Sequence, residues 1–242
     1  MNEKYETYDE ETKKLIEELR PKEVPLWEED GIVKYNCKQF QAISSGYGSV
    51  SPDFNFTCDK TIFNRDIYVR KYGFVVLGYE MLNHLANFFK NNGNRVLSIM
   101  SGSCSLEKEL FKRDVNIICT DDNSWSKDYE NFDINKTDTD MKKYQYDCVE
   151  AIKRFGDKVD FVLCSWPPYA EKMAYDALTE MRNHKHLKMI YIGEDEGGCT
   201  ADINFFEAIK YSDLMNTDKE FIEAMNSFIR WYALHDDLYI VE

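Results

Sequence analysis

From Arg95 to Tyr211 short apolar runs alternate with amphipathic stretches of about ten residues. RVLSIM, NIICTDD, VDFVLCSW and LKMIYIGE have the unbroken hydrophobicity of strands buried on both faces. Between them, SLEKELFKRD, DCVEAIKRFG, AEKMAYDALTEMRNH and ADINFFEAIKY carry helical spacing. Upstream, Met81, Leu82, Leu85, Phe88 and Phe89 recur on one helical face, and NNGN supplies the stop. Strands alternating with helices imply right-handed crossovers, hence an α/β fold with a mostly parallel sheet and helices on both faces. The tail SFIRWYALHDDLYIVE has two apolar runs around His235, Asp236 and Asp237, which predicts an antiparallel terminal hairpin. At the other end, DEETKKLIEELR predicts a short amphipathic helix over 9–20, stopped by Pro21 and Pro25, and 27–61 reads as an irregular arm or lid. The expected division is therefore an N-terminal helical and irregular extension, 1–61, packed on an α/β domain, 62–242.

Composition narrows the partners. Thirty Lys and Arg face 44 Asp and Glu in 242 residues, a formal charge of −14 that repels polyanions and sets nucleic acid low among candidate substrates. Seven cysteines (37, 58, 104, 119, 148, 164 and 199) form no CxxC pair and no zinc spacing, so they read as reduced thiols and no metal site is expected. The charged N-terminus lacks the apolar core of a signal peptide, and no run of about 18 apolar residues occurs. The expectation is a soluble, cytoplasmic, acidic protein with no membrane partner. The four histidines make no Ser/His/Asp order, which lowers hydrolase chemistry.

In open parallel sheets ligands bind beyond the carboxyl ends of the strands, so candidate chemistry is sought there. The first strand runs into Ser101, Gly102, Ser103, Cys104 and Ser105, small residues that let a ligand approach the backbone. The second ends on Asp121 and Asp122, about 20 positions later, where an acid commonly accepts the two hydroxyls of a ribose. Asp147, before Cys148, suits a helix N-cap, with contact to an adenine edge as an added role. The next strand ends on Ser165, Trp166, Pro167, Pro168 and Tyr169, a stiff floor in which Trp166 should be held extended by the following proline. After the last parallel strand, Glu194 begins an acidic loop in which carboxylates raise one another's pKa and serve as a base, attract a cation, or simply face water.

In that order, VLSIMSGSCSLEKEL, NIICTDD, YDCVEA and VLCSWPPY resemble the four motifs of the class I S-adenosylmethionine-dependent methyltransferases. The resemblance begins near Tyr68 and covers about 70% of the chain. It implies a seven-stranded Rossmann-like sheet whose last strand is antiparallel, with S-adenosyl-L-methionine as cofactor. By position it implies Ser101, Gly102 and Ser103 against the methionine part, Asp121 on the ribose with Asp122 as second choice, Asp147 and Cys148 around the adenine, and Tyr72 near the carboxylate. Ser165, Trp166 and Tyr169 would position the acceptor, with Glu194 as base or partner to a cationic substrate. The chain departs from the family where it has Ser98 in place of an acid, Met100 and Cys104 in place of glycines, and Trp166 in place of the small polar residue before Pro-Pro-Tyr.

These readings imply a transferase that methylates a small molecule or a protein. Two others stay beside it: a methyltransferase fold that has lost catalysis and binds a protein, and a nucleic-acid base or cap methyltransferase, against which the charge of −14 stands.

Overall fold

The computed structural model describes residues 9–10, 29–34, 68–124, 141–231 and 234–242. All but the first two residues of the expected helix over 9–20, and all of the arm over 27–61 except 29–34, lie outside the described residues. Six strands form one sheet: β1 (Arg95–Ile99), β2 (Asn116–Asp121), β3 (Lys142–Gln145), β4 (Phe161–Ser165), β5 (Lys188–Gly193) and β6 (Asp237–Val241). Their order is β3-β2-β1-β4-β5-β6, with every pair parallel except β5 and β6. The reversal of order at β1 makes a crevice beyond the ends of β1, β2 and β4.

Period-two alternation divides the central strands between two cores. Val96, Phe161, Leu163 and Ile190 face α1 (Tyr79–Asn91), α2 (Ser105–Phe111) and α7 (Lys219–Asn226). Leu97, Val162, Cys164 and Met189 face α3 (Cys148–Phe155), α4 (Met173–Met181) and α5 (Ile203–Ala208). A single turn, α6 (Leu214–Thr217), leads into α7. The first face is closed by rings: Phe88 of α1 lies 5.2 Å from Phe161 and 5.1 Å from Phe221, centroid to centroid. No helix among the described residues is long and apolar enough to cross a membrane.

Seven strands and a terminal hairpin were expected, and six strands are present among the described residues. The first apolar run of the tail is not a strand. Phe228, Ile229 and Trp231 instead drop into the first core, and the Trp231 indole donates to the Phe74 carbonyl at 3.0 Å. β6 alone takes the antiparallel place beside β5. The remaining difference is β3, a mostly exposed edge strand of sequence KKYQ, which shows no apolar alternation to announce it.

Residues 29–34 dock on the entrance to α1. Val33 N–H donates to the Leu77 carbonyl at 3.0 Å, and the Tyr79 N–H donates to the Val33 carbonyl at 2.9 Å. The Tyr68 and Tyr72 hydroxyls donate to the carbonyls of Gly31 and Glu29 at 2.9 and 2.6 Å. A helical turn over 68–72 is thereby fixed across the crevice from the end of β1.

Candidate active site

The crevice holds a cleft of about 380 Å3, within the range of roughly 300–1,000 Å3 typical of small-molecule sites. The 68–75 segment forms one wall, the β1–α2 loop the second, and the ends of β2 and β4 the rest. Of the residues singled out from the sequence, the cleft gathers Tyr72, Ser101, Gly102, Ser103, Asp121, Asp122, Ser165 and Trp166.

The β1–α2 loop has three left-handed positions with a glycine at only one of them. Met100, Gly102 and Cys104 have φ of 51°, 49° and 55°. Each non-glycine residue held there costs about 1–2 kcal/mol. A Cβ on Gly102 would meet nothing within 4 Å, so the backbone at that point faces open cleft. Asp121 braces the loop: Gly102 N–H donates to its Oδ2 at 2.8 Å, and Asn123 N–H to its Oδ1 at 2.7 Å. The Ser101 hydroxyl donates to the Thr120 carbonyl at 2.8 Å. Asp122 is half-buried and accepts from Ser124 N–H through Oδ1 at 2.8 Å.

Trp166 is not extended, as its place before proline predicted, but stands at φ 48°. The turn is over-determined, which is how such strain persists. Its backbone N–H donates to the Ile192 carbonyl at 2.7 Å, and its indole stacks on Phe74 at 4.9 Å with planes 14° apart. The indole N–H donates to Asp236 Oδ2 at 3.2 Å. Asp236 is 1% exposed, and its Oδ1 has no hydrogen-bond partner among the described residues. Burial pushes its carboxyl up to about 6, against the pull of the indole bond.

Four of the expected site residues do not line the cleft. Tyr169 is 66% exposed and borders a separate recess with Gly197 and Ile203. Asp147 caps α3, accepting from Glu150 N–H at 2.8 Å, and its side chain faces solvent. Cys148 is buried, its thiol bonded to the Met173 carbonyl at 3.4 Å and pushed up to about 11 by burial. Glu194 is 5% exposed, and its two oxygens accept from the N–H groups of His235 and Cys199 at 3.0 and 2.7 Å. Burial works against its charge, but these N–H bonds outweigh it and hold the carboxyl below the usual range, opposite to the raised value expected of a base. No cluster of metal-ligating side chains occurs among the described residues.

Several cleft residues were not singled out from the sequence, Arg70 and Glu107 among them. Arg70 lies exposed on the 68–72 turn and lines the cleft mouth. Glu107, on the first turn of α2, is 2% exposed and accepts from the Ser98 hydroxyl at 2.6 Å. Nothing in the pattern separates Glu107 from the acids that normally face solvent at a helix start. Only its position, nine residues after Ser98, offered a signal.

No family model matches the sequence, and no curated protein does. Solved structures do. The plantazolicin methyltransferase BpumL in complex with SAH is 10% identical, with a TM-score of 0.42 over 85% of this chain and 95% of that one. A ribosomal protein L11 methylase from Lactobacillus delbrueckii subsp. bulgaricus is 16% identical, with a TM-score of 0.34 over 66% and 76%. A SAM-dependent methyltransferase from Archaeoglobus fulgidus is 14% identical, with a TM-score of 0.39 over 73% and 98%. Independently of these, the sheet order, the reversal at β1 and the antiparallel closing strand give the chain a Rossmann-like α/β fold, with six strands among the described residues where seven were expected.

Proposed function

We propose that the protein is an S-adenosylmethionine-dependent methyltransferase acting on a small-molecule or protein acceptor. The observation that carries this reading is the cleft itself, which is lined by an open loop backbone at Gly102, by Asp122 and Arg70, and by the stacked Phe74–Trp166 pair, at the switch point of the sheet. These groups suit the parts of the cofactor. Arg70 is placed for a carboxylate, Asp122 for the ribose hydroxyls, and the aromatic pair for a sulfonium, which ring faces attract. Asp121 serves the same site by holding the loop, since both its oxygens already accept backbone N–H bonds.

When bound, the cofactor supplies a methyl group on a cationic sulfur, which an acceptor lone pair takes by in-line displacement as the C–S bond breaks toward sulfur and the acceptor loses a proton. The protein's share is orientation. Trp166, pinned by Asp236 and Ile192, and Ser165 beside it form the acceptor wall, and the loop at Gly102 sets the depth of the methyl donor.

Calorimetry with S-adenosylhomocysteine tests the reading. Binding is expected, weakened about tenfold or more by Arg70→Ala and by Asp122→Asn. Asp147→Ala, remote from the cleft, leaves it unchanged. Absence of binding at millimolar ligand overturns the proposal. A second reading, a fold that binds the cofactor without turning over, draws on Met100, whose side chain occupies a glycine position in the cleft lining. Transfer of labelled methyl to any acceptor in a panel of amines and peptides excludes it.

A further inference from the structure

Resting on the reading of the cleft as a cofactor site, we propose that Glu107 receives the ammonium group of the bound cofactor and releases a proton as it does so. Glu107 is a carboxylate buried at the floor of a cleft that otherwise offers acids only at the ends of β2. Its hydrogen-bond partners are neutral: the hydroxyl of Ser98, itself 0% exposed on β1, and its own backbone amide. The carboxylate absent at Ser98 thus reappears on α2, with the serine hydroxyl aiming it.

A buried charge without a cation is unfavourable, and such a group takes a proton instead. Burial accordingly pushes the Glu107 carboxyl up to about 7, with the Ser98 bond opposing. The charged groups facing it from other elements pull both ways: Asp121 of β2 raises it and Lys143 of β3 lowers it. The buried thiol of Cys119 on β2 also lies within its field. Among the described residues the side-chain hydrogen bond to Glu107 comes from Ser98, and Lys143 acts on it through its field. A ligand that brings an ammonium to the cleft floor supplies the missing cation and favours the ionised carboxylate. Linkage then requires that binding expel the proton wherever Glu107 is protonated in the free protein.

The test uses wild-type protein, S-adenosylhomocysteine, and 5′-methylthioadenosine, which lacks both the ammonium and the carboxylate. Calorimetry is run in phosphate and in imidazole at pH 6.5, where the difference in apparent enthalpy counts protons released. The expected result is release of roughly half to one proton per site with S-adenosylhomocysteine, none with 5′-methylthioadenosine, and a loss of the effect at pH 8. Glu107→Gln, which can still accept from Ser98, should abolish the buffer dependence and weaken S-adenosylhomocysteine about tenfold or more while sparing 5′-methylthioadenosine. If wild type binds neither compound, the cofactor reading itself fails. If it binds both with equal enthalpy in the two buffers, and Glu107→Gln binds as wild type does, the cofactor reading stands and the role of Glu107 is overturned.

Discussion

Trp166 and Asp236 form a pair in which each residue answers a difficulty created by the other. The indole N–H in the cleft wall requires an acceptor, and the buried carboxylate requires a donor. The single bond between them, at 3.2 Å, satisfies the first and half-satisfies the second. Trp166→Phe keeps a ring to stack on Phe74 but leaves both oxygens of Asp236 without a hydrogen-bond partner among the described residues, so a loss of about 1–3 kcal/mol is expected in urea denaturation at pH 7.5. Asp236→Asn removes the charge while its amide oxygen still accepts from the indole, and it should be neutral or stabilising at the same pH. Combining Trp166→Phe with Asp236→Leu replaces both partners by apolar groups, and most of the loss should return. A Trp166→Phe cost that persists unchanged in the double variant would show that ring packing, not the indole bond, fixes the turn at φ 48°. The β1–α2 loop carries strain of the same kind at the residue scale. Met100 and Cys104 hold the left-handed backbone at a cost that glycine would not incur.

At the level of elements, the 29–34 segment braces the cleft from behind by holding the 68–72 turn. Gly31 is the tight point: its φ is +86°, and a Cβ there would lie 2.7–2.9 Å from the Tyr72 ring. Gly197 has φ +88° and nothing within 4 Å of its Cβ, which makes it a matched control for backbone strain alone. Gly197→Ala should cost about 1–2 kcal/mol, and Gly31→Ala about 1–3 kcal/mol more. Because Tyr72 is part of the cleft wall, Gly31→Ala should also weaken S-adenosylhomocysteine and speed hydrogen exchange over 68–77, whereas Gly197→Ala should do neither. Equal losses in the two variants would detach the segment from the site. The pairing of these segments was not legible in the sequence, where 27–61 carries no periodicity, and the hydroxyl-to-carbonyl bonds of Tyr68 and Tyr72 leave no pattern. By contrast, β1, β2, β4 and β5 were legible, because strands buried on both faces read as unbroken apolar runs. β3 and α7 were not: one is polar at an edge, and the other buries only Phe221 and Ala224. The site divides in the same way. Strand ends and the small-residue loop could be found by position along an alternating chain. Tyr169, Asp147, Cys148 and Glu194 went elsewhere, because the direction of a side chain beyond a strand end depends on turns such as that at Trp166.

For the molecule as a whole, the balance of buried and paired carboxylates sets an unusual pH dependence. Asp160, Glu220 and Glu242 are held below the usual range, by Arg95, His84 and Lys188 respectively. Their stabilisation is present above an ordinary carboxylate pKa near 4 and is lost as pH falls through their lowered values. Glu107 and Asp236 act in the opposite sense, because burial raises them to about 7 and about 6. Between their unfolded values near 4 and these raised ones, the folded state binds more protons than the unfolded state, so stability falls as pH rises. At about 1.4 kcal/mol per pKa unit, each costs on the order of 3 kcal/mol once ionised. The chain's formal charge of −14 adds self-repulsion that grows in the same direction and is screened by salt. Urea denaturation at constant ionic strength should therefore place maximal stability near pH 5, with a decline of several kcal/mol by pH 8. The double variant Glu107→Gln, Asp236→Asn should flatten that decline, while added salt should lift the whole alkaline side in both proteins. A wild-type profile that rises from pH 5 to pH 8 would mean that both carboxylates are fully compensated in solution, and the proton release assigned to Glu107 would fall with it.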